Sequence, residues 1–342
     1  MVWNRNRRGR VMEHITDSKR ICLERDAYRC RHCGAAENLD VFQLVKREGR
    51  LDWQLSNLVS LCSDCNVDRE KSLENKGSDR VGVMLCGGKG SRLFPLTKFQ
   101  NKHSLPIGLT PMVMYPLKTL RALGVNRVLV VVDRDGVGQI IDILGSGKEF
   151  GMDISYKVQE GAGGISEALY LAKDFMNETE DELVCILGDN IFDNDLLDTD
   201  VRLNYNNYGD AGACVYLKKV SNPSDYGVAV LDKEINKVIK IVEKPKEFVS
   251  DKAVLGLYIY TRHVFDVIES IKPSGRGELE ISSVNHWYAS RGELDSREVN
   301  GYWGDAGGSI QRYAECNMHG AKEANISAEE IDSFRSVVFD DK

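Results

Sequence analysis

Short apolar runs separated by amphipathic stretches dominate the chain beyond residue 80. The segments Val81–Cys86, Arg127–Val132 and Leu183–Leu187 are almost continuously apolar and predict strands buried on both faces. We predict helices between them at Pro111–Leu123, which starts with proline and ends at Gly124, and at Gly136–Leu144. Continuous apolar strands that alternate with helices indicate an α/β fold, with a mixed, mainly parallel sheet covered by helices on both faces.

The remaining predicted elements continue this alternation and become richer in strands after residue 211. We predict extended segments at Ile154–Gln159, Ala213–Val220, Val228–Leu231, Val238–Val242 and Val254–Tyr260, and helices at Ser166–Met176, Arg262–Ile271 and Glu280–Ser290. All of them follow a polar stretch, Asn75–Arg80, before which apolar residues are sparse and cysteines frequent. We therefore predict a small domain at residues 1–76 and a larger one at residues 77–342.

The composition excludes several classes of protein. The 342 residues are 42% hydrophobic and 28% charged, as in ordinary globular proteins, and no uncharged apolar run reaches the ~18–20 residues needed to cross a membrane. The first 80 residues carry 16 Lys and Arg against 13 Asp and Glu, a net charge of +3, which leaves −10 for the rest of the total of −7. An acidic body with a mildly basic appendage is not typical of a dedicated nucleic-acid-binding protein. Weak nucleic-acid contact through the appendage stays open.

The nine cysteines fall into two groups. Five are scattered, several within apolar runs, and this use of thiols predicts a reducing, cytoplasmic location. The other four form two Cys-x-x-Cys pairs, Cys30 with Cys33 and Cys62 with Cys65, with 28 residues between the pairs. Two such pairs supply the four ligands of a structural Zn²⁺, and the spacing suits a treble-clef-like module with a β-hairpin between the pairs. The alternative is a chance pairing of core cysteines.

The residues around these cysteines resemble an HNH-type zinc domain. The matching segments are Tyr28–Gly34, Leu39–Val41, Ser56–Cys62 and Cys65–Asn66. In that family a His-His pair, which includes the general base of the nuclease, follows the second segment, but Phe42 and Gln43 stand there in this chain. Neither side chain can take up a proton near neutral pH or act as an imidazole ligand, so nuclease activity is disfavoured. The resemblance implies a degenerate HNH-like scaffold kept for folding, for a protein partner or for weak nucleic-acid contact.

A glycine-rich turn follows the first predicted strand of the larger domain. Val81–Cys86 leads directly into Gly87-Gly88-Lys89-Gly90-Ser91-Arg92-Leu93. Glycines after a strand let the backbone approach phosphate groups closely and present N–H donors to them. The spacing matches neither the Walker A motif nor the dinucleotide fingerprint, so the turn alone is weak support for nucleotide binding.

The turn begins an ordered series of motifs that resembles the sugar-1-phosphate nucleotidyltransferases, in particular their glucose-1-phosphate thymidylyltransferase-like branch. The further matching segments are Leu93–Thr97, Asn101–Ile107, Pro111–Val113, Gln159 with Gly164-Ile165, Leu187–Phe192, Asp225–Val228, Glu243–Pro245, Gly256–Tyr258, Gly275–Ile281 and Trp303–Gly307. The resemblance implies a Rossmann-like domain that joins a nucleoside triphosphate to a sugar 1-phosphate and releases pyrophosphate.

The resemblance also implies roles for individual residues. Arg92, Lys102 and Asp189 are the implied catalytic residues, and Asp189 with Asp305 would hold a catalytic Mg²⁺. The implied nucleotide-binding residues are Leu85, Gly87, Gly88, Gly90, Gln159 and Gly164. The residues implied for the sugar phosphate are Tyr226, Gly227, Glu243, Lys244, Gly256, Tyr258 and Arg276. Taken singly, Asp189 also fits a helix cap and the cations fit solvated surface charges, but the ordered set favours a site.

We therefore predict a cytoplasmic, Mg²⁺-dependent homo-oligomeric enzyme without a membrane segment. It would use dTTP or UTP, and most readily glucose 1-phosphate, to make dTDP-glucose or a UDP-sugar. The loop after Gln159 lacks the proline common in the family and holds extra glycines, which leaves the choice between thymine and uracil open. The alternative is a protein that senses nucleotide sugars without turnover and reaches a protein or nucleic-acid partner through its zinc domain.

Overall fold

The structure is a computed structural model that describes residues 19–24, 28–29, 36–43, 58–63, 80–161, 163–177, 180–199, 201, 203, 212–232, 237–275 and 277–323. The chain divides into two compact units, Met1–Gly77 and Ser78–Lys342. Within these described ranges, no helix is both long enough and apolar enough to pass through a membrane.

The described part of the first unit is built on two antiparallel strands. β1 (Leu39–Gln43) pairs with β2 (Leu58–Cys62), and a short helix, α1, spans residues 19–24. Cys22 on α1 packs against Val41, and its thiol lies 3.7 Å from the hydroxyl of Ser60. The strand pair lies between the two Cys-x-x-Cys pairs in the sequence, where a hairpin was predicted.

Of the four predicted zinc ligands, Cys62 alone belongs to the described residues. It ends β2 and is buried. Cys30, Cys33 and Cys65 lie outside the described residues. The zinc module therefore stays a prediction.

The second unit is an α/β domain. Among the described residues its strands are β3 (Arg80–Cys86), β4 (Pro106–Ile107), β5 (Thr110–Pro111), β6 (Arg127–Asp133), β7 (Asp153–Gln159), β8 (Glu182–Leu187), β9 (Asn190–Phe192), β10 (Ala213–Lys219), β11 (Gly227–Leu231), β12 (Val238–Glu243), β13 (Lys252–Thr261), β14 (Leu294–Glu298) and β15 (Trp303–Asp305). Its helices there are α2 (Met114–Ala122), α3 (Val137–Leu144), α4 (Ile165–Tyr170), α5 (Val264–Ser270), α6 (Ile281–Ala289) and α7 (Ile310–Glu323).

Nine of these strands form one mixed sheet. Its order is β12-β11-β13-β8-β3-β6-β7, with β10 beside β13 and β14 beside β10. The four consecutive strands β8, β3, β6 and β7 are parallel, with β7 at the edge of the sheet, and β13 pairs with β8 in the antiparallel direction. The predicted mixed, mainly parallel sheet is therefore confirmed. Since parallel strands end at one edge, Cys86, Asp133, Gln159 and Leu187 finish side by side there.

Side chains of β3 alternate between two hydrophobic cores, one on each face of the sheet. Val81, Val83 and Leu85 pack into a core with residues of α4, α5 and α6, whereas Met84 and Cys86 pack into a core with α2 and α3. Burial on both faces explains why the strand is continuously apolar, because neither set of side chains meets water.

Two helices differ in extent from the prediction. The segment predicted to open a helix at Pro111 instead forms β5, which pairs with β4, and the N–H of Val113 donates to the carbonyl of His103 at 2.9 Å. These bonds to the preceding loop delay the start of α2 to Met114. α4 ends at Tyr170, and the chain continues in tighter turns, in which the N–H groups of Ala172 and Lys173 donate to the carbonyls of Leu169 and Tyr170 at 3.0 Å.

Candidate active site

The glycine-rich turn lies at the carboxyl edge of the sheet, directly after β3. Gly88 has φ +103°, a left-handed conformation that favours glycine, and its N–H donates to Oδ2 of Asp133 at 3.0 Å. A Cβ added at Gly88 would meet no atom within 4 Å, so this backbone borders open space. Arg92 follows in the short 3₁₀ helix Ser91–Leu93 and is exposed. The turn thus combines an approachable backbone with a cation.

A short ion pair joins Lys102 to Asp189. Asp189 follows β8 at the same edge of the sheet. Nζ of Lys102 lies 2.5 Å from Oδ2 of Asp189, and Nδ2 of Asn190 donates to Oδ1 at 3.2 Å. Both charged side chains are largely buried, with 15% and 11% of their surfaces exposed. A buried carboxylate is therefore matched to a buried ammonium group.

Asp305 is brought to Asp189 by a second, smaller sheet. β15 pairs antiparallel with β9 in a register that places Asp305 opposite Asn190. The N–H of Ala306 donates to the carbonyl of Asp189 at 2.9 Å, and a Cβ added at Gly307 would touch the Asp189 carboxylate. The two residues predicted to share an ion therefore lie in the same small cluster.

The electrostatics of this cluster favour one carboxylate over the other. Burial acts to raise the pKa of Asp189, but Lys102, His103 and the hydrogen bond from Asn190 together outweigh it, and the pKa is lowered. Burial, and then the negative charge of Asp189, raise the pKa of Asp305, against smaller opposing effects from Lys102, Arg312 and Arg92. Asp189 is thus held as a carboxylate, and Asp305 is the first of the two to take up a proton as the pH falls.

The donor set of this cluster fits a magnesium ion. The negative charge of Asp189 acts on Asp305 across this cluster, so a divalent ion between the two carboxylates would relieve their repulsion. Mg²⁺ is bound in proteins through one or two carboxylates, with phosphate oxygens and water completing the shell. No group of three or more metal-binding His, Cys, Asp or Glu side chains occurs in the described residues, so further ligands would come from substrate or water.

Gln159, the predicted base-recognition residue, faces the glycine-rich turn. It ends β7 in register with Asp133 of β6, and a Cβ added at Gly87 would lie 3.7 Å from its Oε1. Its Nε2 donates to Oε2 of Glu167 at 2.6 Å and to the carbonyl of Gly164 at 3.2 Å. The structure therefore brings Gln159, Gly87 and Gly164 together.

The two other predicted nucleotide residues shape the turn. Leu85 is buried in β3, and the carbonyl of Gly90 accepts the hydroxyl of Thr97 at 2.9 Å. Neither residue presents a polar side chain, so their contribution to a ligand would come through shape and backbone.

Four of the predicted sugar-phosphate residues lie where β11 begins and β12 ends: Tyr226, Gly227, Glu243 and Lys244. Gly227 is the register partner of Glu243, and the N–H of Lys244 donates to the carbonyl of Tyr226 at 3.0 Å. Nζ of Lys244 lies 3.6 Å from Oε1 of Glu243. This cluster presents a phenol, a carboxylate and an ammonium group on adjacent backbone.

The remaining predicted sugar-phosphate residues are more dispersed. The N–H of Gly256 on β13 donates to Oδ1 of Asn190 at 3.1 Å, which connects this strand to the Asp189 cluster. Tyr258 is buried in the core, stacked on Tyr260 with ring centroids 6.0 Å apart. Arg276 lies outside the described residues.

Sequence reasoning missed one cation of the site, Arg312 on α7. Its Nη2 lies 2.5 Å from Oδ2 of Asp225, its Nη1 lies 3.4 Å from Oδ2 of Asp305, and its Cζ lies 4.8 Å from the ring centre of Tyr226. A cavity of about 130 Å³ opens beside it, lined in part by Trp303. Arg312 follows the last matching motif, so no motif pointed to it.

Asn190 belongs to a matching motif but was assigned no role. Its Oδ1 accepts the indole N–H of Trp303 at 2.8 Å as well as the N–H of Gly256, while its Nδ2 donates to Asp189. The side chain thus connects β9, β13 and β15 around the carboxylates. An amide residue directly after Asp189, in the middle of a motif, was the signal that could have indicated this.

Comparisons with known proteins agree with this arrangement. The nucleotidyl transferase family model matches residues 81–323. A glucose-1-phosphate thymidylyltransferase of Xanthomonas campestris is 38% identical over 233 residues, which cover 67% of this chain and 77% of the relative. The low-salt glycan biosynthesis nucleotidyltransferase Agl11 of Haloferax volcanii is 37% identical over 227 residues, 66% of this chain and 62% of the relative.

A solved structure gives the same result for the fold. A Bacillus anthracis protein described as a candidate glucose-1-phosphate thymidylyltransferase, in complex with sucrose, superposes with a TM-score of 0.63 at 40% identity. The match covers 71% of this chain and 95% of that protein. Since the family model spans more than half of the residues, the chain belongs to the nucleotidyl transferase family and is an enzyme of that class.

Proposed function

We propose that the domain at residues 77–342 transfers a nucleoside monophosphate from dTTP, or from UTP, to a sugar 1-phosphate, with glucose 1-phosphate as the first candidate. The observation that carries the proposal is the meeting of Lys102, Asp189 and Asp305 beside the glycine-rich turn. The names of the Xanthomonas campestris and Bacillus anthracis proteins support these substrates.

Nucleotidyl transfer depends on cations more than on general acids or bases. An oxygen of the sugar 1-phosphate attacks the α-phosphorus, the bond between the α- and β-phosphates breaks, and pyrophosphate leaves with the electron pair. Negative charge builds on the transferred phosphoryl group and on the leaving group, so catalysis depends on positioning and on positive charge. Lys102 would neutralise the α-phosphate region, and Arg92 would hold the β- and γ-phosphates through its guanidinium group.

Asp189 and Asp305 would hold the catalytic Mg²⁺. When bound, the ion would supply Lewis-acid stabilisation of the phosphate charge. Lys102 keeps Asp189 ionised and fixed in orientation, so this carboxylate is ready to bind a cation without losing a proton. Asp305, on β15, would provide the second carboxylate ligand.

The remaining predicted residues would bind the two substrates. Gln159 and Gly164 would bind the base, and the nucleotide would lie against Leu85, Gly87, Gly88 and Gly90. Tyr226, Gly227 and Glu243, with Gly256 and Tyr258 behind them, would hold the sugar, while Lys244 and Arg276 would hold the acceptor phosphate. The contacts between residues 226–227 and residues 243–244 support a single binding site for the sugar 1-phosphate.

For the domain at residues 1–76, we propose a degenerate HNH-like module held by a structural Zn²⁺ on Cys30, Cys33, Cys62 and Cys65. The strand pair between the cysteine pairs and the burial of Cys62 support it. Metal analysis of the full chain tests this, with about one zinc per chain expected from a four-cysteine site. Zinc-free native protein, or zinc retained by the double variant Cys62→Ser and Cys65→Ser, would contradict it.

A cytoplasmic homo-oligomer is part of the same proposal. The buried thiols of Cys86, Cys185 and Cys214 suit a reducing compartment. Exposed apolar side chains such as Phe99 and Leu109 suit a contact between subunits. Light scattering on the purified chain tests the assembly, and a monomer would contradict it.

A protein or weak nucleic-acid partner would use the zinc module.

A pyrophosphate-release matrix tests the function. ATP, GTP, CTP, UTP and dTTP are each combined with glucose, galactose and N-acetylglucosamine 1-phosphates in the presence of Mg²⁺. Release confined to dTTP or UTP, and strongest with glucose 1-phosphate, is expected. Binding of nucleotide sugars without release in any combination would contradict the enzyme and favour the sensor.

A further inference from the structure

The side-chain amide of Gln159 has a fixed orientation. Its nitrogen lies 2.6 Å from Oε2 of Glu167 and 3.2 Å from the carbonyl oxygen of Gly164. A carboxylate oxygen and a carbonyl oxygen are both acceptors, so only the NH₂ end of the amide can face them. Turning the amide over would set its own carbonyl oxygen against two acceptors and leave its donors without these partners.

The position of Glu167 is itself well determined. It belongs to the first turn of α4, where the neighbouring N–H of Ser166 donates to the carbonyl of Leu279 at 3.1 Å. The N–H of Leu279 in turn donates to the carbonyl of Gly163 at 2.9 Å. A Cβ added at Gly163 would touch the Glu167 carboxylate, so glycine is what leaves room for it.

The opposite end of the amide points towards the turn. Because both nitrogen partners lie on one side, Oε1 of Gln159 is directed to Gly87, where an added Cβ would lie 3.7 Å from it. Gln159 therefore offers an acceptor, and not a donor, to whatever lies on the glycine-rich turn.

We propose that Glu167 is a positioning residue that fixes Gln159 as a hydrogen-bond acceptor for the nucleotide base, which selects pyrimidines with a ring N–H over cytosine. This inference rests on the proposed function. Thymine and uracil carry a hydrogen on N3, which can donate to Oε1. Cytosine has a lone pair at N3, which would face another lone pair and leave two acceptors unmatched.

Nucleotide selectivity measures this role. We compare kcat/KM for dTTP, UTP and CTP, at a fixed concentration of glucose 1-phosphate, in the wild type and in Glu167→Ala and Glu167→Gln. Removing the Glu167 acceptor leaves only the longer bond to Gly164 to hold the amide, so in Glu167→Ala the preference for the better of dTTP and UTP over CTP should fall by roughly tenfold or more, the scale of one mismatched hydrogen bond. The amide oxygen introduced by Glu167→Gln can still accept from Gln159, so this variant should keep more of the preference than Glu167→Ala does. A role in folding alone would lower kcat/KM for all three nucleotides by the same factor.

A matched control uses the neighbouring carboxylate. Glu160 is exposed and makes none of the contacts to Gln159 described above, so Glu160→Gln removes one negative charge from the same loop and should keep the preference. Gly163→Ala, which displaces the Glu167 carboxylate without removing it, should lower the preference as Glu167→Ala does. If the Glu167 variants fail to fold, Gly163→Ala decides the result.

The two proposals fail in different ways. An unchanged preference in folded, active Glu167 and Gly163 variants would overturn the role of Glu167 and leave the proposed function intact. A wild type that releases no pyrophosphate with any triphosphate would instead overturn the proposed function.

Discussion

Nζ of Lys102 lies 2.5 Å from Oδ2 of Asp189, and the two side chains form a largely buried ion pair at the carboxyl edge of the central sheet. Replacing Lys102 by Met would leave a buried carboxylate without its partner. We expect the free energy of unfolding to fall by about 3–5 kcal/mol, the usual cost of breaking a buried pair from one side. Denaturant unfolding measures this loss.

The double variant separates stability from chemistry. Adding Asp189→Asn to Lys102→Met removes the unpaired charge, so much of the lost stability should return. Activity should not return, because each group is needed at the site and loss of one such electrostatic contact lowers kcat by roughly 100-fold to 1,000-fold. Recovery of activity together with stability would show that the pair is only structural.

Gly307 tests how closely Asp189 is held. A Cβ at this position would touch the Asp189 carboxylate, so Gly307→Ala should move that group and lower kcat by about 100-fold, as small displacements in active sites do. In α3, Gly138 has no atom within 4 Å of an added Cβ, and Gly138→Ala should leave activity unchanged and stabilise the helix by up to about 1 kcal/mol. Equal activity of the two variants would contradict the assignment.

Arg312 contacts Asp305, a proposed Mg²⁺ ligand, together with Asp225 and Tyr226 at the proposed sugar site. Arg312→Gln removes the charge that orders these groups, so the KM for the sugar 1-phosphate should rise by roughly tenfold, equivalent to about 1.4 kcal/mol, while the KM for the nucleotide stays unchanged. Arg291 provides the control, because its Cζ lies 3.6 Å from the ring centre of Trp287 and it is also an arginine bound to an aromatic ring. Arg291→Gln should leave both KM values unchanged. A rise in both KM values, or in neither, would argue against this role.

The buried thiols should be unreactive in the native protein. Burial raises the pKa of Cys86 and of Cys185 far above the usual range, and that of Cys214 to about 12. A raised pKa keeps each thiol protonated at pH 8, and only the thiolate is nucleophilic. Mass spectrometry after brief iodoacetamide treatment should find these three residues labelled in urea but not in native buffer. Fast labelling of Cys86 in native buffer would show that solvent reaches this thiol, which would contradict its burial.

The central strands were predictable because burial on both faces makes their sequences continuously apolar. β3, β6 and β8 begin or end within one residue of the predicted segments. The position of Asp189 at the sheet edge followed for the same reason, since only Gly188 separates it from the end of an apolar strand. Asp305 reaches it through β9 and β15, which have three residues each and leave no periodic signal.

Long-range polar contacts were not predictable from the pattern. Arg80 looked like the end of a polar linker, yet its side chain is buried against Glu182, with the carbonyl of Leu123 accepting from it at 3.0 Å. The contact between Arg312 and Asp225 joins residues far apart in the sequence. Such partners are fixed by tertiary packing, and nothing in the local periodicity of either segment encodes them.

Pyrophosphate release in the first turnovers, measured with dTTP, glucose 1-phosphate and Mg²⁺, tests the central claim most directly. The wild type should release pyrophosphate only when both substrates are present, and Asp189→Asn and Asp305→Asn should each lower the rate by about 100-fold or more. Full release by either aspartate variant, folded as the wild type is, would contradict the account of how this enzyme works.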